Sequence, residues 1–559
     1  MKICGRRCWF SGILFLLTVF SCNTKIHSPE ASLNSLDLLR GEITLCGDGQ
    51  FGEVSFPLSC NPDTRESFNL AISLLHSFEY EEAEKAFVKV IDIDPECAMA
   101  YWGIAMSNFH SLWFQSGTAY LEKGSKILLT AENLQTSEKE RDYLDAIGAF
   151  YKDWQTTSHT DRIRRFEKRM EDLYLRYEND KEAAIFYALA LAASADPNDK
   201  GYVNQRKSGK ILESIYPDQP NHPGVAHYII HNYDYPELAA LALPTARRYA
   251  DIAPASAHAQ HMPSHIFTRL GLWDESIKSN IQSTAAARCY AESIDPDGHW
   301  DEELHGMDYL VYAYLQTGDI DKALEQYNYL KTFHKVFPAN FKIAYTAAAI
   351  PSRIALETRN WNDAAGLQLP SMGIDWDAFP WQQSILVFAR AMGSIHRNEM
   401  ASANDNLVTL KKLHNVLLER KNEYEANQVS IEINITQAWI YFATGQFQEA
   451  IILMQSAAQQ EYKTSKHPVT PGEVLPAGEL LGDMFMAAKN PREALSAYEF
   501  DLIQHPNRFN GLYGAAKAAQ QIGDNVKAEH YFRQLLEIVR PSGSIRHEIM
   551  EARKFIGPV

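Results

Sequence analysis

Almost nothing in this 559-residue chain reads as a β-strand. Alternating apolar and polar runs are missing, and the one short candidate is FGEVSF at 51–56. Sheet-based architectures are thereby excluded. No HExxH occurs, so the zinc helix of the common metalloproteases is absent. Basic charge is in deficit, with 53 Lys and Arg against 70 Asp and Glu. Such a balance argues against nucleic acid as a partner. Beyond the N-terminal leader no apolar run approaches the length of a membrane span. Cysteine is scarce, at seven residues: Cys4, Cys8, Cys22, Cys46, Cys60, Cys97 and Cys289.

What is present begins with a leader. Lys2, Arg6 and Arg7 make a basic start, Trp9 to Phe20 is short and apolar, and Val19-Phe20-Ser21 precedes Cys22. This order predicts a secretory signal peptide over 1–21, too short for a stable span. Its end resembles a bacterial lipobox, which implies cleavage before Cys22, lipid on its thiol and a membrane anchor. Asn23 at the second mature position points toward the outer membrane of a bacterial envelope. Removing the three basic residues of the leader takes the net charge from −17 to −20.

In an oxidising compartment the remaining cysteines become informative. Cys46 and Cys60 flank the Gly-rich loop CGDGQFGEVSFPLSC, which predicts a local disulfide. A metal site there would need a second cysteine pair, and none is near. Cys97 and Cys289 read as isolated buried thiols.

Repeats decide the fold. From Thr64, the residues Leu70, Ala71, Leu74, Ala83, Phe87, Val90 and Pro95 occupy the spacing of a tetratricopeptide repeat (TPR), two antiparallel helices in about 34 residues. The same frame starts at Ile431, Leu475 and Phe509. One helical hairpin cannot cover its own apolar face, so neighbours stack. The expectation is an all-α, right-handed TPR solenoid with degenerate central repeats. Six segments follow: leader 1–21, tether and cysteine loop 22–63, N-terminal repeats 64–200, a histidine-rich segment 201–335, degenerate repeats 336–430, and C-terminal repeats 431–559.

The histidine-rich segment carries the chemistry. His227 and His231 are four residues apart and share a helix face, which Asp234 continues. His261 and His265 repeat that spacing one 34-residue repeat later. In the repeat frame these residues, with His258, His305 and Asp308, fall on the stripe that lines the concave groove of a TPR solenoid. Neutral imidazoles and carboxylates suit a divalent transition metal such as Zn2+. They also suit general acid–base work, and they suit a buried hydrogen-bonded network between repeats. Pro263 sits between His261 and His265, where it must start a helix or kink one. His76 and His110 read as packing residues. Arg353, Glu357 and Arg359 read as an interhelical ion network.

With LLHSFEYEEAEKAF, CAMAYWGIAMS, HPGVAHYIIHNYDYP, HMPSHIFTRLGLW, MDYLVYAYLQTGD and HPNRFNGLYGAAKAA, the chain resembles a family of secreted bacterial TPR proteins. HMPSHIFTRLG is the most specific of these motifs. The resemblance implies the fold and adds no reaction. Two functions fit: an envelope scaffold holding a protein, peptide or small ligand in its groove, or a metal-dependent hydrolase. In the second, Asp234, Asp308, Glu302 or Glu303 would serve as base.

Overall fold

The computed structural model describes residues 33, 36–46, 49–112, 116–540 and 543–557. The predicted leader and Cys22 lie outside these residues. The protein is a solenoid of TPR-type helical hairpins. The four repeat frames coincide with hairpins: Arg65–His76 with Tyr80–Ile93, Glu423–Ala443 with Phe447–Lys463, Ala477–Ala487 with Pro491–Gln504, and Phe509–Gln521 with Asn525–Ile538. Small residues sit where the helices cross. A Cβ on Gly482 or Gly514 would meet the ring of Tyr498 at 2.5 or 2.4 Å, so the two glycines receive that tyrosine between them. Gly523, in the turn between the last two of these helices, has φ +80°, a conformation that costs a larger residue but not glycine. Among the described residues the only strands are His299–Trp300 and Val336–Phe337, a two-residue parallel pair. No described helix is long and apolar enough to cross a membrane.

The segments that fit the repeat poorly are still hairpins, with unequal arms. Glu138–Tyr151, 14 residues, pairs with His159–Arg176, 18 residues, and Phe341–Glu357 is followed by the short Trp361–Gly366. Local caps define their ends. Ser137 and Glu140 form a reciprocal capping box, and Asp180 caps Lys181–Ala193. FGEVSF is extended but pairs with no strand. Residues 36–46 and 49–60 form a strap over the N-terminal repeats rather than a free tether. The Leu39 N–H donates to Glu84 at 2.9 Å and the Phe56 N–H to Asn69 at 3.0 Å, with Phe51 and Phe56 buried beneath.

The strap corrects the predicted disulfide. Cys46 pairs with Cys289 and Cys60 with Cys97, at Cα separations of 6.0 and 5.0 Å. The two strap cysteines meet different helices: Cys289 lies on Trp273–Ile294, and Cys97 caps Ala98–Ser107. The expectation of a Cys46–Cys60 bridge and of two isolated thiols is overturned on both counts.

The solenoid also closes on itself. The turn after Arg65–His76 packs Phe78 on His227 and His231, with ring centroids 4.4 and 5.5 Å apart. At the other end Arg508 is wholly buried. It donates to Glu479 at 2.9 Å, to Glu357 at 2.7 Å and to Tyr312 at 2.9 Å, tying the last repeats to the middle ones. The loop 464–475 crosses the inner face. Tyr309 donates to the Val469 carbonyl at 3.1 Å, and Arg353 donates to the carbonyls of Glu473 and Gly472 at 2.7 and 2.8 Å. The inner face beside Tyr309 and Arg353 is therefore covered by the chain itself.

Candidate functional site: a buried double histidine cluster

Pro223–Tyr233 starts with proline at its first position, where the missing N–H costs nothing. It carries His227 and His231. The next hairpin breaks as Pro263 requires: Ala257–His261 stops, Met262 is the joint, and Pro263–Arg269 restarts. His258 and His261 thus lie on one short helix and His265 on the following one. Asp301–Gln316 supplies His305. These elements bring six imidazoles together in two sets. His227, His231 and His258 form the first, and His261, His265 and His305 the second, with ligand atoms in each set within 4.8 Å of one another. The sets touch: the rings of His258 and His261 are 6.4 Å apart, as are those of His231 and His265.

Outer hydrogen bonds decide where the protons sit. The His227 Nδ1–H donates to the His76 carbonyl at 2.6 Å. The His265 Nδ1–H donates to the Asp234 carboxylate at 2.9 Å. The His261 Nδ1–H donates to Asn280 Oδ1 at 2.6 Å, and the Asn280 amide is oriented by donating to the Ser276 carbonyl at 2.8 Å. In all three rings Nε2 is left as the lone-pair nitrogen. His261 Nε2 and His265 Nε2 then face each other at 3.0 Å, and His231 Nε2 lies 2.8 Å from His227 Nε2. His258 Nε2 is buried without a hydrogen-bond partner, while its Nδ1 lies 3.6 Å from Glu302.

Burial keeps these rings neutral. It pushes His227, His231, His261 and His305 well below the usual histidine range, helped by neighbouring imidazoles. His265 is lowered to about 4, burial outweighing the Asp234 carboxylate. Burial alone would raise Asp234, but Lys466 at 3.1 Å and Arg269 at 3.0 Å hold it well below the carboxylate range. Glu302 is likewise held down against burial by Lys342.

Seven of the eight predicted residues converge, with Asp234 as an outer partner. Asp308 does not: it turns to Arg353, at 3.3 Å. Of the two proposed glutamates Glu302 joins, whereas Glu303 binds His299 at 2.8 Å and Tyr329 at 2.9 Å. The expected exposure is wrong. His227 and His261 are 0% exposed, because the Phe78 turn and the surrounding helices cover the stripe. Sequence reading missed Asn280, the His76 carbonyl and Lys466. The first two carry no motif, and Lys466 lies 232 residues from Asp234. Beyond Asp234 a cavity of about 390 Å3 opens, lined by Tyr235, Arg269, Lys466 and His505 among others.

A third group, His76, Glu182 and His222, has its ligand atoms equally close but the opposite polarity. The Val225 N–H donates to His222 Nδ1 at 3.3 Å, and Tyr228 donates to His76 Nδ1 at 2.9 Å. Both Nε2–H groups therefore point inward and donate to Glu182, at 2.9 and 3.0 Å. Every lone pair is used, so this group is a hydrogen-bonded tie between repeats.

A family model described as a tetratricopeptide repeat matches residues 67–97, the hairpin framed from Thr64. The comparison with curated proteins returned no match. Among solved structures, the human IFIT1 dimer with m7Gppp-AAAA is 12% identical, with TM-score 0.31 over 86% of this chain and 96% of that one. Yeast Tom70 is 11% identical, with TM-score 0.32 over 88% of this chain and 95% of that one. Neither likeness reaches a TM-score of 0.5 or identifies this chain; what the sequence itself shares is the TPR repeat at 67–97.

Proposed function

We propose that this protein is an exported TPR-type scaffold whose closed interior binds transition-metal ions on His227, His231, His258, His261, His265 and His305, beside a cavity for a small ligand. The observation that carries the reading is the His261–His265 pair. Both Nδ1 protons are committed outward, so two lone pairs face each other at 3.0 Å. Such a contact is repulsive unless a cation lies between the nitrogens, and burial disfavours a proton as that cation. Nitrogens bound to one tetrahedral ion at about 2 Å sit about 3 Å apart, and ligating histidines hold their other nitrogen on a carbonyl or carboxylate, as here. An all-imidazole set suits Zn2+, Cu2+, Co2+ or Ni2+ better than Mg2+ or Ca2+. Three imidazoles leave a position for water, with Glu302 close to His258, and that arrangement favours the hydrolase as the second reading.

The 390 Å3 cavity beside Asp234 has the size of a small-molecule site. The leader and two disulfides between distant segments support export to an oxidising envelope.

Metal analysis of the purified full-length chain tests the reading. The expected result is bound late first-row metal, a melting temperature that falls in chelator, and loss of metal in His261→Ala but not in His547→Ala. A protein that neither carries nor takes up such metals overturns it.

A further inference from the structure

Resting on that reading, we infer that the site is a two-ion centre: one ion on His227, His231 and His258, a second on His261, His265 and His305, sharing one bridging oxygen ligand. Six imidazoles are too many for one tetrahedral ion, and they are already divided. Each set closes to within 4.8 Å on its own atoms, and the six nitrogens come from four separate helices.

The outer partners are divided too. The first set is held by the His76 carbonyl and faces Glu302; the second is held by Asn280 and Asp234. The hydrogen-bonding partners of the two sets are different, although His258 and His261 share the helix Ala257–His261 and the Glu302 charge acts on His258, His261 and His305. Each set has an anchored i, i+4 pair and a third ring at the side: His258 lies 5.0 Å from His227, and His305 lies 4.1 Å from His261, between ring centroids.

The two sets then face each other across the 6.4 Å His258–His261 and His231–His265 contacts. Ions held with metal–nitrogen bonds of about 2 Å would lie on either side of that boundary, and two-metal sites hold their ions roughly 3.5–4 Å apart. Three imidazoles per ion would leave each a fourth position for a shared ligand. A water-derived hydroxide, or another single oxygen donor, fits between them. The 390 Å3 cavity lies on the side of Asp234, the carboxylate that holds His265.

The test is cobalt and copper reconstitution of chelator-stripped full-length protein. Cobalt should bind at two ions per chain in the wild type. It should bind at one in His258→Ala and one in His305→Ala, and not at all in the double variant. Should an alanine variant fail the circular-dichroism check of folding, His258→Gln and His305→Gln replace it with little loss of volume.

A wild-type stoichiometry of one, abolished by either substitution, overturns the two-ion centre while leaving a metal site in place. A stoichiometry of zero defeats the metal reading itself. Copper distinguishes a bridged pair from two separate sites. Two bridged Cu2+ ions couple, so the wild type should show far less than two spins of resonance signal, and each single variant about one. Two full spins in the wild type would exclude the bridge.

Discussion

The position of a proton on an imidazole separates the three histidine groups of this protein. His222 and His76 aim N–H groups at Glu182, whereas His227, His261 and His265 aim lone pairs at their neighbours. Glu182→Gln should therefore lower stability at neutral pH by about 2–4 kcal/mol, the cost of disrupting buried hydrogen bonds to a charged group. Metal content should stay unchanged, and unfolding curves with parallel metal analysis read both. Glu79 gives a pH-dependent case. It is buried, accepts from Ser256 at 2.6 Å, and burial raises it from the ordinary range to about 8. Folding thus holds a proton that the unfolded chain releases above about pH 4.5. The cost is absent below that pH and grows by about 1.4 kcal/mol per unit as pH rises toward 8. Glu79→Gln removes it, so the variant should match wild type at pH 4.5 and melt higher at pH 8. A constant difference across that window would refute the assignment. At this scale the sequence showed which histidines share a face. It did not show their tautomers, because those are set by the His76 carbonyl, Asn280 and Asp234, each on another element.

Among the elements, the hairpin broken at Met262 shows how much a local rule can say. Pro263 forbids a continuous helix, and the break places His261 and His265 on two short helices whose Nε2 atoms still meet. The repeat frames were legible for the same reason: crossing residues such as Gly482 report directly on a neighbouring ring. The strap was not legible. Its chain lacks a period, and its position comes from side chains such as Glu84, Asn69 and Glu140 in distant repeats. Four cysteines allow three pairings, and only the strap's path selects one. Peptide mapping without reduction should find Cys46–Cys289 and Cys60–Cys97. Replacing Cys97 by Ser should cost about 4 kcal/mol in the chain-entropy model for a separation of 37 residues. Finding the Cys46–Cys60 peptide instead would reverse the correction.

For the whole molecule, closure of the solenoid is the property that matters. Arg508 draws the last repeats onto Glu357 and Tyr312, and the loop 464–475 covers part of the inner face. Removing one partner of such a buried ionic group leaves charges unpaired, so Arg508→Ala should destabilise by about 3–5 kcal/mol. It should also raise protease sensitivity within 464–475; a protected loop would mean that closure does not depend on Arg508. The proposed lipid anchor at Cys22 makes a cellular prediction: Cys22→Ala should move the protein from the membrane fraction to the soluble one or leave an unprocessed precursor. Absence of lipid on the wild-type chain in metabolic labelling would remove the anchor. By itself, the sequence determined the all-helical repeat, four of its hairpins and the shared face of the histidine pairs, because these depend on residues within about 34 positions of one another. Only the tertiary structure decided that the loop 464–475 covers part of the inner face, that the cysteines pair across repeats and that the imidazoles divide into two sets. Those outcomes depend on contacts between segments up to several hundred residues apart, and spacing along the chain carries no trace of them.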